Sequence, residues 1–380
     1  MKTQSKKLNI SAINTQLDEL GLSNIKVAEE IGVTRQAISS WFNGEKFPRP
    51  AKLLKLAQLL KLSFQDLVIK LDTSNEPVVA FRKKGSHKIS IEYIEDAKDK
   101  GFLLEKIVPY LPYDSLSSPP VLIQPQLDYS YIQKTASRVR QEICKEENDI
   151  INFEDIIDFF NRQHAVIIPV FWGNRKNHEN ALHIFLPKSM TTWIYLNLDS
   201  KIHDFKFWMA HELGHIKAPM LQSDDAEDFA DSFAGALLVG QKLAEREYIH
   251  LRRLTNKSHQ INRIKEIADE LMISPLTIYY EINKYAKFKR KPLLSLENNN
   301  EIFKANTYFC NQYETVAELL FESLPPSPKN YLESARKYFN SPFFESLQNF
   351  MTAQKKSVGF LQALLNLSPA DSQVLYEEVC

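Results

Sequence analysis

A mainly α-helical chain with one small β-sheet, an α+β protein, is what this sequence predicts, and three observations carry the prediction. Apolar residues recur at helical spacing through residues 8–70 and again from Ile202 to about Tyr285. Only two stretches read as strands: "AVIIPVF", starting at Ala165, as a buried run, and "TTWIYLNL" (191–198), rich in β-branched and aromatic residues. Proline clusters at 108–126 and 324–330 interrupt the helical pattern and favour extended chain.

At 380 residues the chain is too long for one ordinary domain. Four segments are expected. An all-helical domain fills 8–71. A linker with the Pro-rich stretch "VPYLPYDSLSSPPVLIQPQ" covers 72–128. A domain at 129–290 holds both strands, with helices resuming near Tyr129 and again at 153–163. A C-terminal helical region of unassigned role covers 291–380. No internal repeat or low-complexity tract is visible.

With 44% hydrophobic residues the chain can bury substantial cores. Basic and acidic residues balance at 47 each, which excludes a uniformly basic nucleic-acid coat but hides a local asymmetry. Residues 1–71 hold 11 Lys/Arg against 6 Asp/Glu, and Arg82, Lys83, Lys84 and Lys88 extend the basic end. That domain calls for an anionic partner. Cys144, Cys310 and Cys380 are far apart and form no CxxC pair, which argues against a disulfide framework or a cysteine zinc site and fits a reducing compartment. The N-terminus "MKTQSKKLNI" has no apolar run after its charges, and "AVIIPVFW" is too short to span a bilayer. A soluble, cytoplasmic protein with no membrane partner is expected.

Within "NIKVAEEIGVTRQAISSWFNGEKFPRP" (24–50), Val27, Ala28 and Ile31 form the apolar face of a short helix. Gly32 follows as the turn residue, and Thr34 is placed to cap the next helix. There Ala37, Ile38, Trp41 and Phe42 face inward at helical spacing, leaving Arg35, Gln36, Ser39 and Ser40 outside. "AKLLKLAQLL" (51–60) and "SFQDLV" (63–68) close the bundle. Residues 10–70 resemble the phage-repressor-like helix-turn-helix family of Xre (Cro/C1) type. The resemblance implies that the second helix of the motif enters the major groove of double-stranded operator DNA. Thr34, Arg35, Gln36, Ser39 and Ser40 would touch base edges and phosphates, with Asn43 and Lys46 near the backbone. Arg35 suits guanine and Gln36 adenine. The bland alternative is a helical bundle for protein docking; the basic excess favours DNA. One such domain binds modestly and salt-dependently, so specific binding calls for a homodimer on two half-sites, although no dimerisation motif stands out.

"HDFKFWMAHELGHIKAP" (203–219) carries the chemistry. Phe205, Trp208, Met209, Leu213 and Ile216 fall on helical spacing as a buried stripe. His211 and His215 stand one turn apart, so both imidazoles project from one side, a geometry that suits two nitrogen ligands on one Zn2+. Glu212 can take a proton from a water that the ion activates. A catalytic zinc needs a third protein ligand. "EDFADSFAGALLVG" (227–240) puts Glu227, Ala230, Asp231 and Ala234 on one helical face; an antiparallel return would bring Glu227 to the metal. Asp231, one turn on, would bind a ligand imidazole and fix its tautomer. The alternatives are a chance match on a core helix, or a degenerate site that does not turn over.

"TTWIYLNL…FKFWMAHELGHI…EDFADSFAGALL" is similar to the ImmA/IrrE family of metallopeptidases, over about residues 150–285. The resemblance implies a zincin-like, gluzincin-type domain with His211, His215 and Glu227 as ligands and Glu212 as general base. It also implies cleavage of helix-turn-helix repressors in phage, mobile-element or stress switches, and pairing of the "WIYLNL" strand with an extended substrate peptide. Two departures bear on substrate fit: "LLVG" (237–240) where the family often shows "LLMP", and Lys206 where an arginine is common.

His164, His178, His183 and His203 read as surface or satisfied structural histidines; one of them, or Tyr279 or Tyr280, could stabilise an oxyanion. "IKEIADELMISPLTIYYEINKY" (264–285) has a helix-turn-helix look, but the family context makes it a packed part of the peptidase domain. "KFKRK" (287–291) reads as a solvated boundary. The expectation is a DNA-binding transcriptional regulator with a zinc endopeptidase body that cleaves a repressor or similar protein. The alternatives are a non-catalytic repressor or antitoxin whose peptidase-like domain docks a partner such as a toxin, and self-cleavage in the Pro-rich linker.

Overall fold

The computed structural model describes residues 6–42, 48–70, 76–81, 91–112, 121–122, 124–144, 149–171, 181–219, 221 and 223–380. The chain is mainly α with a small mixed sheet, as expected, and it divides into two compact units, Met1–Glu76 and Pro77–Cys380.

The first unit runs β1 (Lys6–Leu8), α1 (Ile10–Leu20), α2 (Asn24–Ile31), α3 (Arg35–Phe42), α4 (Pro50–Leu59), α5 (Phe64–Leu67) and β2 (Val68–Lys70). Ile13, Leu17, Val27, Ile31, Ile38, Trp41, Leu56 and Leu60 form its core. The Ser23 side chain accepts from the Lys26 N–H at 3.4 Å to open α2. Gly32 ends α2 with φ 71°, a left-handed conformation that a side chain resists. Lys52 Nζ then donates to the carbonyls of Ile31 and Gly32, each at 2.9 Å, covering acceptors that the helix end leaves open. Beyond the expected helices the unit has a short antiparallel ribbon in which Leu8 lies opposite Val68.

The second unit begins with β3 (Val78–Phe81), α6 (Ile91–Glu105), α7 (Tyr129–Ile143) and α8 (Phe153–Arg162). There follow β4 (Ala165–Val170), β5 (Ala181–Leu186), β6 (Thr191–Asn197), α9 (Ile202–Lys217), α10 (Ser223–Leu238), α11 (Gly240–Arg253), α12 (Lys257–Leu271) and α13 (Pro275–Phe288). It ends with α14 (Glu301–Asn311), α15 (Val316–Leu320), α16 (Pro328–Phe339), α17 (Phe343–Gln354), α18 (Val358–Leu365) and α19 (Pro369–Val379). The sheet order is β3-β5-β6-β4; β4 and β6 run parallel, and the β5 pairings with β6 and β3 are antiparallel. Among the described residues, no helix is long and apolar enough to cross a membrane.

The structure adds to two of the expected segments. Residues 72–128 are more than a linker, because β3 and α6 lie within them and pack on the sheet. A Cβ on Gly101 would fall 2.5 Å from Pro77 Cβ and 3.2 Å from Ile184 Cγ2, so this glycine lets α6 sit directly on the chain entering β3 and on β5. Residues 291–380 do not form a separate body. The Ala317 N–H donates to Leu198 O (2.8 Å), the Val316 N–H to Ser200 O (3.0 Å), and Tyr195 Oη to Leu364 O (3.1 Å). The hydroxyls of Tyr331 and Ser341 donate to the carbonyls of Pro169 and Ile167 on β4. These helices share one apolar core with the sheet.

Candidate metal centre and nucleic-acid interface

Helix α9 is buried along nearly its whole length between the sheet, α8 and α10. The apolar stripe of Phe205, Trp208, Met209, Leu213 and Ile216 is in the core, and it fixes which side of the helix is left for His211 and His215. Helix α10 returns across α9 at very short range. A Cβ on Gly214 would lie 2.8 Å from Ala230 Cα, so a glycine between the two histidines and an alanine between the two acids allow the backbones to approach.

That crossing assembles a donor cluster. His211 Nε2 and His215 Nε2 are 3.0 Å apart; Glu227 Oε2 is 3.5 Å from the first, and Glu227 Oε1 is 3.4 Å from the second. The three ligand atoms all lie within 4.8 Å of one another. A tetrahedral Zn2+ with bonds of about 2.05 Å separates neighbouring ligand atoms by about 3.3 Å, so the observed spacings fit such an ion. Among the described residues, Glu227 Oε2 is buried without a hydrogen-bond partner, as an oxygen meant for a cation would be.

Asp231 Oδ1 stands 2.8 Å from His211 Nδ1. Donation from Nδ1–H to that carboxylate leaves the Nε2 lone pair facing the cluster. Burial opposes protonation of His211, but its hydrogen bond to Asp231 and the nearby Glu227 carboxylate prevail and push its pKa up to about 9. His215 is held well below the usual histidine range by burial and by the charge of His211. Burial pushes the Glu227 carboxyl upward against the lowering effect of its contact with His211. A divalent cation would displace the His211 proton and favour the ionised Glu227 carboxylate, while His215 is already held in the neutral form that a metal ligand needs.

Glu212 is buried beside the cluster, with Oε2 lacking a hydrogen-bond partner. His183 of β5 joins it: Nδ1 lies 3.4 Å from Glu212 Oε2, and its ring is 5.4 Å from that of His215. The sequence alone reads His183 as a surface or structural histidine, with an oxyanion role open to it and to its neighbours. The available signal was its place in "ALHIFL", an apolar run too short to show which residues turn inward. His203 lies elsewhere on α9, packed against the rings of Phe309 and Tyr313 at 5.0 and 4.0 Å. His164 ends the turn between α8 and β4, and His178 falls outside the described residues. Tyr279 Oη donates to Leu294 O at 2.7 Å, and Tyr280 is exposed. Lys206 is buried and donates from Nζ to Leu271 O at 2.6 Å, tying α9 to the end of α12.

The "WIYLNL" strand is not where an extended peptide can add. It is β6, and β5 and β4 fill both of its edges. The second helix-turn-helix-like stretch forms α12 and α13, whose Ile267, Ala268, Leu271, Ile278, Ile282 and Tyr285 are buried in the core of the second unit.

In the first unit, Thr34 Oγ1 accepts from the Ala37 N–H at 3.2 Å and opens α3. Ile38 and Trp41 are buried; Thr34, Arg35, Gln36 and Ser39 are exposed, and Ser40 is half-buried. The expected reading side chains thus share the open side of α3. Asn43 and Lys46 lie outside the described residues.

Residues 13–67 match the helix-turn-helix family model, HTH_3. The first unit is therefore a helix-turn-helix domain, a DNA-binding module of transcriptional regulators. No curated protein matches the chain. Among solved structures, the chain is similar to Bacillus thuringiensis PlcR in complex with the peptide PapR7 and DNA, at 12% identity over 80% of this chain and 94% of that one. The TM-score is 0.15, too low to carry an argument about the fold.

Proposed function

We propose that this chain is a DNA-binding transcriptional regulator whose second unit is a zinc-dependent endopeptidase acting on a helix-turn-helix repressor or a similar regulatory protein. One observation carries the enzymatic half: His211, His215 and Glu227 converge with spacings near those of a tetrahedral ion, and an acid, Glu212, stands beside them with Oε2 not engaged in a hydrogen bond among the described residues. A bound Zn2+ would polarise the scissile carbonyl and activate water for attack.

The chain's own residues do the rest. Asp231 holds His211 in the tautomer that offers Nε2. Glu212 takes a proton from the attacking water and returns it to the departing amine. His183, with Nδ1 3.4 Å from Glu212 Oε2, faces that carboxylate from β5 and can favour its ionised form when protonated. Burial of His211, His215 and Glu212 keeps bulk water from competing for them.

The test combines metal analysis with one isosteric substitution. About one zinc per chain should co-purify and should be lost in His211→Ala. Glu212→Gln should retain zinc and fail to cleave a co-expressed helix-turn-helix repressor. Unchanged cleavage in Glu212→Gln would remove the proposed role of Glu212, and a folded chain that takes up no zinc would remove the enzyme.

A further inference from the structure

Strands β4, β5 and β6 leave no open edge for a bound peptide. Strand β6 is paired on both sides. On the far edge, Pro169 of β4 has no N–H, and the hydroxyls of Tyr331 and Ser341 occupy the carbonyls of Pro169 and Ile167. Strand β5 reaches the site through His183, whose Nδ1 lies 3.4 Å from Glu212 Oε2. Its remaining edge is covered by β3, with Val78 opposite Phe185, Ala80 opposite His183, and Phe81 opposite Leu182.

Directly opposed residues on neighbouring strands project to the same face. Ala80 therefore shares the face on which His183 meets Glu212. Strand β3 also packs against α10, the helix that carries Glu227. It is an extended segment lying antiparallel on the site's own strand, which is how a protein binds a peptide by main-chain hydrogen bonds. It is also the first element after the helix-turn-helix unit, and Gly101 seats α6 against Pro77 at its entry.

We propose that β3 is the peptidase's substrate strand in cis, and that one peptide bond within residues 78–81 is hydrolysed by the site beside it. This rests on the zinc-peptidase reading and names its substrate: the chain itself, cut just after its helix-turn-helix unit. The oxygen of one water joins the carbonyl carbon, and the C–N bond breaks. The acyl side leaves as a carboxylate, and the amine side takes both water protons and leaves as an ammonium group. The head is thereby separated from the body. Because the strand is already in place, no capture from solution is needed.

The experiment uses the full chain, stripped of metal and then given Zn2+, with intact mass measured over time and labelled casein as a probe of hydrolysis in trans. Two fragments should form with new ends inside 78–81, at a rate independent of chain concentration. Glu212→Gln and the zinc-free wild-type chain should both stay whole. In the zinc-free chain, the amides of 78–81 that bond to β5 should exchange slowly, as in a paired strand. Fast exchange there, a cut elsewhere, a rate that rises with chain concentration, or cleaved casein beside an intact chain would each overturn the cis substrate while leaving the zinc peptidase standing. If the zinc-loaded protein cuts neither a helix-turn-helix repressor nor casein nor itself, the peptidase reading falls and takes this proposal with it.

Discussion

Gly214 and Ala230 bring α9 and α10 together more closely than two ordinary side chains permit: a Cβ at 214 would stand 2.8 Å from Ala230 Cα. The neighbour in the way is backbone, which cannot swing aside. Gly214→Ala should force the helices apart, cost about 1–3 kcal/mol of stability, and separate Glu227 from the histidines. Chemical denaturation and zinc stoichiometry measure both effects; wild-type values for each would refute the close-crossing account.

Asp231 touches the proposed ion only through His211. Asp231→Asn keeps the shape but weakens the hold on the Nδ1 proton. Zinc affinity, measured by competition with a chelator, should fall about 10–100-fold with little change in thermal stability. An unchanged affinity would show that the carboxylate does not orient the ligand.

His203 should make the fold acid-sensitive. Burial lowers its pKa to about 4 from an ordinary 6.5. The folded chain keeps the ring neutral while the unfolded chain takes a proton. Stability is therefore full above about pH 6.5 and declines as the pH falls toward 4, by up to about 3 kcal/mol. His203→Phe, which can still pack on Phe309 and Tyr313, should lose less stability than wild type between pH 7 and pH 4.5. Equal losses by urea denaturation would exclude this source.

Arg35 and Gln36 lie exposed in the first turn of α3. Replacing both with alanine should weaken binding to an operator selected from random duplexes by about tenfold or more, since each paired base contact is worth about 1–3 kcal/mol. Zinc content should not change. Undiminished affinity in a binding titration would move DNA recognition to another surface.

What the sequence revealed followed the range of the interactions. His211, His215, Glu227 and Asp231 were legible because helical spacing is local, and four residues on two amphipathic patterns suffice to place them. Gly32 and Thr34 marked the turn between α2 and α3 for the same reason. The pairing of β3 with β5 was not legible, because "VVAF" is four residues long and its partner lies about a hundred residues away. His183 was hidden with it, since its inward direction depends on strand register. The continuity of 291–380 with the sheet rests on hydroxyl and backbone contacts such as Ser341 to Ile167, which leave no periodic trace.

The two hydroxyls on β4 have a practical consequence for anyone who trims the chain. Cutting after residue 290, where the sequence suggests a boundary, removes Tyr331 and Ser341 together with α16 and α17, which cover that strand. Ala165–Val170 would then present a naked, strongly apolar border able to recruit the same border of another molecule. Such a fragment should clump on expression even with every zinc ligand intact, so the last ninety residues act as the sheet's guard against self-association.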